Sequence, residues 1–459
     1  MVFSSILFIF RFLPIALLLY YIVPFKYKNL VILILSLFFY SWGEPKYFGI
    51  MIASILVDYT VGRGIEKYRK EKFKAKIFLG ISIIFNLGML IFFKYSNFFI
   101  ENINILLDLN LKNLNLVLPL GISFYTFQTM TYSIDVFRGK VQAEKNIINF
   151  GAYVALFPQL IAGPIVRYTD ISAELKDRVI DMDKLYIGIK FFILGLARKV
   201  LIANNIGLLW NEIQSKGFEN IGMGMAWLGA VAFTIQIYFD FSGYSLMARG
   251  LGAMLGFTFP ENFNYPLISK SVSEFWRRWH MTLGSFFREY VYIPMGGNRV
   301  NKGRLILNLL VVWALTGFWH GAEYNFILWG IYFFVFLILE KFLIGKYLEK
   351  SKIFSHIYLV IIILISFVIF SITDLGDLIV YLKAMFSFSF KTETLYYLRN
   401  YIVVLILAVI FSIPHTKRFF EKYILKNNLV ETIILMLLFF VSVAYLVDAS
   451  YNPFLYFRF

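Results

Sequence analysis

Apolar residues in this chain gather in long unbroken runs. They do not alternate or form the one-faced stripe of soluble elements. A helix needs about 20 mostly apolar residues to cross a bilayer. Runs of that kind lie at roughly 5–25, 29–43, 46–61, 77–95, 115–135, 184–207, 222–242, 305–322, 324–342, 356–373, 399–414 and 429–448. Several are short, which predicts tilted, broken or re-entrant segments among about ten to twelve crossings. The first run opens Met1-Val2-Phe3-Ser4-Ser5 with no basic stretch before it and continues through Arg11. It is expected as a retained spanning helix and not as a cleaved leader.

Two stretches interrupt the pattern. Pro158, Gly163 and Pro164 break helical hydrogen bonding inside the apolar run 148–168. Irregular backbone at membrane depth survives only when buried in protein or lining a wet cavity. The run is therefore either a re-entrant segment near a central cavity or a kinked spanning helix. Residues 261–304 are the most polar long stretch, carrying Lys270, Glu274, Arg277, Arg278, His280, Arg288, Glu289, Arg299, Lys302 and Arg304 among many aromatic residues. That is too charged for lipid and too aromatic for a free loop. Amphipathic helices at the interface or at a cavity mouth are expected. There is no internal repeat or low-complexity linker, so residues 1–459 are expected to form a single membrane domain.

Composition sharpens this reading. Apolar types make up 59% and charged types 16% of the 459 residues, against roughly 25% charged in an ordinary soluble domain. The net charge of +16 does not point to nucleic acid, because Lys and Arg cluster between apolar runs as in cytoplasmic loops. Lys26, Lys28 and the basic loop from Arg63 to Lys76 are placed inside by that rule, as are Arg138, Lys140 and the group Lys417, Arg418, Lys422 and Lys426. Both termini are then expected outside. The chain has no Cys, which excludes disulfides, thiolate metal sites and Cys nucleophiles.

The four histidines are the remaining imidazole chemistry. His320 closes the apolar run 305–319 in Gly317-Phe318-Trp319-His320-Gly321. An ionisable residue inside a span is rare, and burial favours its neutral, proton-accepting form. A general base for an alcohol nucleophile needs that property; a structural hydrogen bond between helices is the other use of such a residue. His280 lies in Phe275-Trp276-Arg277-Arg278-Trp279-His280. A continuous helix would put Trp276 and His280 on one face, with Arg277 and Arg278 turned toward lipid phosphates, an anionic donor or a carboxylate. His356 and His415 read as interface residues. No metal is expected, since two histidines without Cys or a carboxylate cluster fall short of a zinc set. Gly296-Gly297-Asn298 reads as a turn.

The motifs together resemble the membrane-bound O-acyltransferase family, in its bacterial alginate O-acetyltransferase-like branch. The resemblance runs nearly end to end. It rests on Phe39-Tyr40-Ser41-Trp42, Leu120-Gly121-Ile122-Ser123-Phe124-Tyr125-Thr126-Phe127-Gln128, Phe157-Pro158-Gln159-Leu160-Ile161-Ala162-Gly163-Pro164, Tyr238-Phe239-Asp240-Phe241-Ser242-Gly243-Tyr244-Ser245, the Trp-Arg-Arg-Trp-His block through Tyr292-Ile293-Pro294-Met295-Gly296-Gly297-Asn298-Arg299, and Trp319-His320-Gly321. It implies an all-α polytopic membrane protein with re-entrant and interfacial helices around a central funnel or tunnel. His320 matches the family's catalytic His, and His280 its second functional position, expected to stabilise the oxyanion or position the donor. Trp276, Arg277, Arg278, Trp279, Trp319, Gln128, Gln159 and Asp240 stand in these motifs as candidate linings of the donor and acceptor channel. Leu246 and Arg249 depart from the acetyl branch, which has an Asp and an apolar residue there.

The function implied is O-acyl transfer, most simply O-acetyl transfer, across a bacterial inner or plasma membrane. A cytoplasmic thioester such as acetyl-CoA would be the donor, with no tightly bound cofactor. A hydroxyl of an extracytoplasmic polysaccharide or cell-wall polymer would be the acceptor, directly or through an SGNH-hydrolase-like or small membrane partner. D-alanyl transfer to teichoic acid, and a non-catalytic transporter or scaffold of an export complex, are the alternatives. The ending Asn452-Pro453-Phe454-Leu455-Tyr456-Phe457-Arg458-Phe459 resembles aromatic endings in the family. Tyr456 is accordingly a candidate acyl relay, with an aromatic interface anchor as its simpler role.

Overall fold

The structure is a computed structural model describing residues 2–114, 116–161, 163–424, 427–448, 451–453 and 455. Among the described residues the elements are helices, with no strand. Eight helices are long and apolar enough to cross a membrane: Phe48–Lys67, Lys72–Leu107, Met223–Met254, Lys302–His320, Tyr324–Leu348, Lys352–Ser371, Glu393–Phe411 and Asn428–Asp448. The runs predicted at 29–43, 115–135 and 184–207 appear as the helices Phe25–Gly43, Ile122–Phe137 and Met182–Ala197, which are not among those eight. Polar N-caps start several of the helices. Asn301 accepts from the Arg304 amide and Ser351 from the Phe354 amide, satisfying donors that a first turn leaves open.

The chain divides into two compact units, Met1–Phe192 with Tyr244–Pro260, and Ile193–Gly243 with Glu261–Phe459. The first unit contains the broken apolar run. It forms two short helices, Ile147–Ala155 and Phe157–Leu160, with a non-helical residue, Leu156, between them (φ -48°, ψ 103°). Side chains bond the backbone groups freed by the break. Ser36 accepts from the Phe157 amide at 3.1 Å, Gln159 donates to the Tyr153 carbonyl at 3.0 Å, and Gln128 donates to the Val166 carbonyl at 3.3 Å. This is how irregular backbone persists inside an apolar protein. Gln128 and Gln159, expected as channel linings, are staples of this segment.

In the second unit Lys302–His320 ends at Gly321, and the chain turns back into Tyr324–Leu339. Gly317 and Gly330 let the two helices meet backbone to backbone. A Cβ at Gly317 would fall 2.4 Å from the Phe326 carbonyl oxygen, and one at Gly330 would fall 2.5 Å from that of Trp313. Small residues at such crossings permit the close packing that membrane helices depend on. Here that packing sets the position of the helix end that carries His320.

Candidate active site

His320 is the last residue of its helix and is 3% exposed. Its imidazole packs edge-on against Trp329 at 5.0 Å and Phe370 at 5.1 Å, and lies 4.8 Å from the Trp319 ring. His280 is 1% exposed. It packs against Phe241 at 4.8 Å and against the other part of the site, Trp319, at 5.8 Å. The Trp319 ring thus touches both imidazoles, and the structure brings the two histidines expected from sequence to one aromatic wall.

His280 gets there by a route the sequence did not announce. The helix Val272–Trp276 ends before it, and His280 caps the next helix, Met281–Phe287, in the left-handed region at φ 44°, ψ 52°. Few non-glycine residues adopt that conformation. The expectation that Trp276 and His280 share a face of one helix is therefore corrected. Trp276 packs instead on Trp313, Trp329 and Phe333 at 4.8, 5.4 and 5.0 Å. Backbone pairing with the preceding segment holds the turn. The Met281 amide donates to Asn262 and the Asn264 amide to Arg278.

The side chain of Asn262 fixes the chemistry of His280. Its Oδ1 accepts from the Thr282 amide at 3.2 Å and from the Thr282 hydroxyl at 2.9 Å, and lies 3.2 Å from His280 Nδ1. A backbone amide only donates, so the atom facing it is the carbonyl oxygen, which only accepts. His280 Nδ1 must then carry the hydrogen, and Nε2 is the basic nitrogen of the neutral ring. Burial disfavours the imidazolium and pushes the His280 pKa down to about 3.

The other candidates divide. Trp279 stacks on Phe275 at 5.4 Å and meets Phe263 and Phe367 at 5.1 Å each, forming aromatic support behind His280. Arg278 is ion-paired with Glu274 at 2.9 Å and donates to the Asn264 carbonyl, while Arg277 is exposed. Asp240 pairs with Lys199 at 2.9 Å, both nearly fully buried. His356 Nδ1 lies 3.2 Å from the Ser269 carbonyl oxygen, and His415 is exposed. Tyr456 lies outside the described residues. Sequence reasoning missed Asn262, Phe241 and Lys199. Lys199 had a readable signal, a cation inside the apolar run 184–207. Asn262 had none.

The arrangement holds two buried imidazoles against a shared indole, walled by aromatic rings. A neutral imidazole such as that of His280 can accept a hydrogen bond or a proton from a hydroxyl.

Residues 141–375 match the family model of MBOAT, the membrane-bound O-acyltransferase family. The chain is 39% identical over 393 residues to the protein named "Probable alginate O-acetylase" of Azotobacter vinelandii, covering 84% of this chain and 78% of that one. It is 35% identical over 366 residues to the peptidoglycan O-acetyltransferase of Helicobacter pylori, covering 72% and 68%. With the teichoic acid D-alanyltransferase of Bacillus subtilis it shares 30% over 250 residues, 52% of this chain and 62% of that one.

Proposed function

This chain belongs to the membrane-bound O-acyltransferase family and is a multi-pass O-acyltransferase; on that premise we propose that it transfers an acetyl group from a cytoplasmic thioester to a hydroxyl of an extracytoplasmic polymer. The observation that carries the site assignment is the shared Trp319 wall between the buried His280 and His320 rings. The acetyl assignment draws on the greater coverage and identity of the O-acetyl relatives over the D-alanyl one.

In this reading the acceptor oxygen bonds to the thioester carbonyl carbon while His320 takes the hydroxyl proton. The carbon–sulfur bond then breaks, and the proton passes from His320 to the leaving thiolate. His280 presents Nε2 as a hydrogen-bond acceptor, since Nδ1 donates to Asn262. It therefore aligns the acceptor hydroxyl. The oxyanion role expected from sequence would need a hydrogen on Nε2, which this tautomer lacks. Acetyl-CoA or an acylated carrier protein supplies the thioester. An extracytoplasmic partner of the SGNH-hydrolase type completes delivery where the acceptor is not reached directly. The membrane is the bacterial inner or plasma membrane.

Mass analysis of alkali-released acids on surface polymers tests this in cells lacking the gene. Acetate that returns with the wild-type chain supports the reading. Return of D-alanine, or of no ester, overturns the acetyl assignment. Orientation is tested separately in this cysteine-free chain. A single Cys at Lys72 should label from inside and one at Asn452 from outside; the reverse pattern contradicts both termini lying outside.

A further inference from the structure

The catalytic reading leaves one buried charge pair unused. Lys199 and Asp240 are 1% and 2% exposed at the side chain and 2.9 Å apart. Lys199 lies in the π-helical stretch Arg198–Asn204, whose wider turn brings Asn204 within reach, and Nζ donates to Asn204 Oδ1 at 2.6 Å. Nζ also donates to the backbone carbonyl of Pro453. The carboxylate of Asp240 accepts from the backbone amide of Leu455 at 2.9 Å. An ammonium has three hydrogens, and here they meet a carboxylate, an amide and a main-chain carbonyl. Asn204 then donates to the Asn452 side chain at 3.2 Å, and Gln236 to the Tyr451 hydroxyl at 3.1 Å. Both charges thus depend on a segment far along the chain, and on its backbone above all.

We infer that Lys199 and Asp240 form a receptor for the main chain of the segment around Pro453 and Leu455, and that occupation of this receptor positions His280 for transfer. The link is short. Asp240 precedes Phe241, whose ring packs on the His280 ring at 4.8 Å. Burying an ion pair is costly unless its remaining hydrogen-bonding capacity is met. The segment supplies one hydrogen bond to each charge, so its departure loosens the Asp240–Phe241 stretch. Lys199 and Asp240 are positioning residues in this scheme. The proposal rests on the reading of His280 given above.

The test separates docking from transfer. Leu455→Pro removes the amide that Asp240 accepts from, whereas Leu455→Ala keeps it. Neither change falls in a membrane-spanning helix. Cys residues at Asn204 and Asn452, in this otherwise cysteine-free chain, are joined by a short bifunctional thiol reagent to read docking. In purified protein, crosslinking should be efficient in the Leu455→Ala background and fall at least about fivefold with Leu455→Pro. In chains without the Cys pair, Leu455→Pro should lower kcat about tenfold with KM for the acyl thioester nearly unchanged, while Leu455→Ala stays near wild type. Undiminished crosslinking in Leu455→Pro would overturn main-chain recognition, whatever the chain's activity. Lost crosslinking with undiminished kcat would overturn the positioning role. Failure of the acyl-transfer reading itself would show as no transfer by any variant or by wild type, with the crosslinking result still deciding the receptor.

Discussion

In the first unit Asp58 is fully buried among groups that hydrogen-bond to it: Ser82 at 2.5 Å, Asn86 at 2.8 Å and Ser133 at 3.1 Å. Thr129 closes the circle by donating to the Asn86 carbonyl oxygen at 2.8 Å. In the second unit His280 and His320 are similarly buried, but rings form much of their surroundings: Phe241, Trp319, Trp329 and Phe370. Burial of an ionisable side chain is common to the two places, so burial alone does not mark function. Around Asp58, hydroxyls and an amide tie three helices together, and a carboxylate so satisfied is a structural joint. Around the histidines, aromatic side chains supply the packing, and it is there that the proposed proton transfer falls.

That contrast breaks if the two places respond alike to substitution. Among substitutions that leave the base His320 in place, the largest effect is expected for His280→Ala, which should cut turnover roughly a hundredfold at equal protein abundance as the acceptor hydroxyl loses its alignment. Turnover within twofold of wild type would remove His280 from the mechanism. Asn262→Leu should cost roughly tenfold, because the ring loses the acceptor that fixes its tautomer. Asn262→Asp, which keeps an acceptor oxygen, should recover most of the loss; equal loss in both variants would mean that Asn262 serves folding alone. Asp58→Leu should leave turnover per folded molecule within about twofold but reduce stability by about 3 kcal/mol, since several buried donors lose their acceptor. A denaturation series in detergent paired with rate measurements checks this, and a selective loss of turnover would contradict the structural assignment. A further effect is on pH dependence. His280 titrates near pH 6.5 when unfolded and at about 3 when folded. The unfolded state therefore binds more protons between those values, and stability falls as pH drops through that window. His280→Gln should show a shallower acid limb in thermal-shift measurements from pH 6.5 to pH 4; an unchanged limb would contradict a buried neutral His280.

Much of this was legible in the sequence, for identifiable reasons. Membrane spans are read from length and hydropathy, and Lys302–His320 and Lys352–Ser371 lie where apolar runs place them. His320 was legible because an imidazole at the end of an apolar run stands out. His280 was legible as a candidate but not as geometry. The left-handed turn at that residue breaks the helix that its spacing with Trp276 implies, and no glycine or proline marks the break. Gln128 and Gln159 looked like channel residues because they are polar within apolar motifs, yet they bond backbone freed at the break near Leu156. Asn262 and Lys199 act through partners distant in sequence, and a pattern read locally does not reveal such pairings. The closure of the Lys199–Asp240 pair by Pro453 and Leu455 is the extreme case.

The most direct measurement of the central claim is acyl transfer by wild type and by His320→Ala, purified in nanodiscs and compared at equal amounts. Thiol release from an acyl thioester is followed with and without a hydroxyl acceptor. The account predicts acceptor-dependent release by wild type and a loss of at least about a hundredfold in the variant, with the two proteins melting at similar temperatures. Undiminished acceptor-dependent release by a folded His320→Ala protein would contradict it.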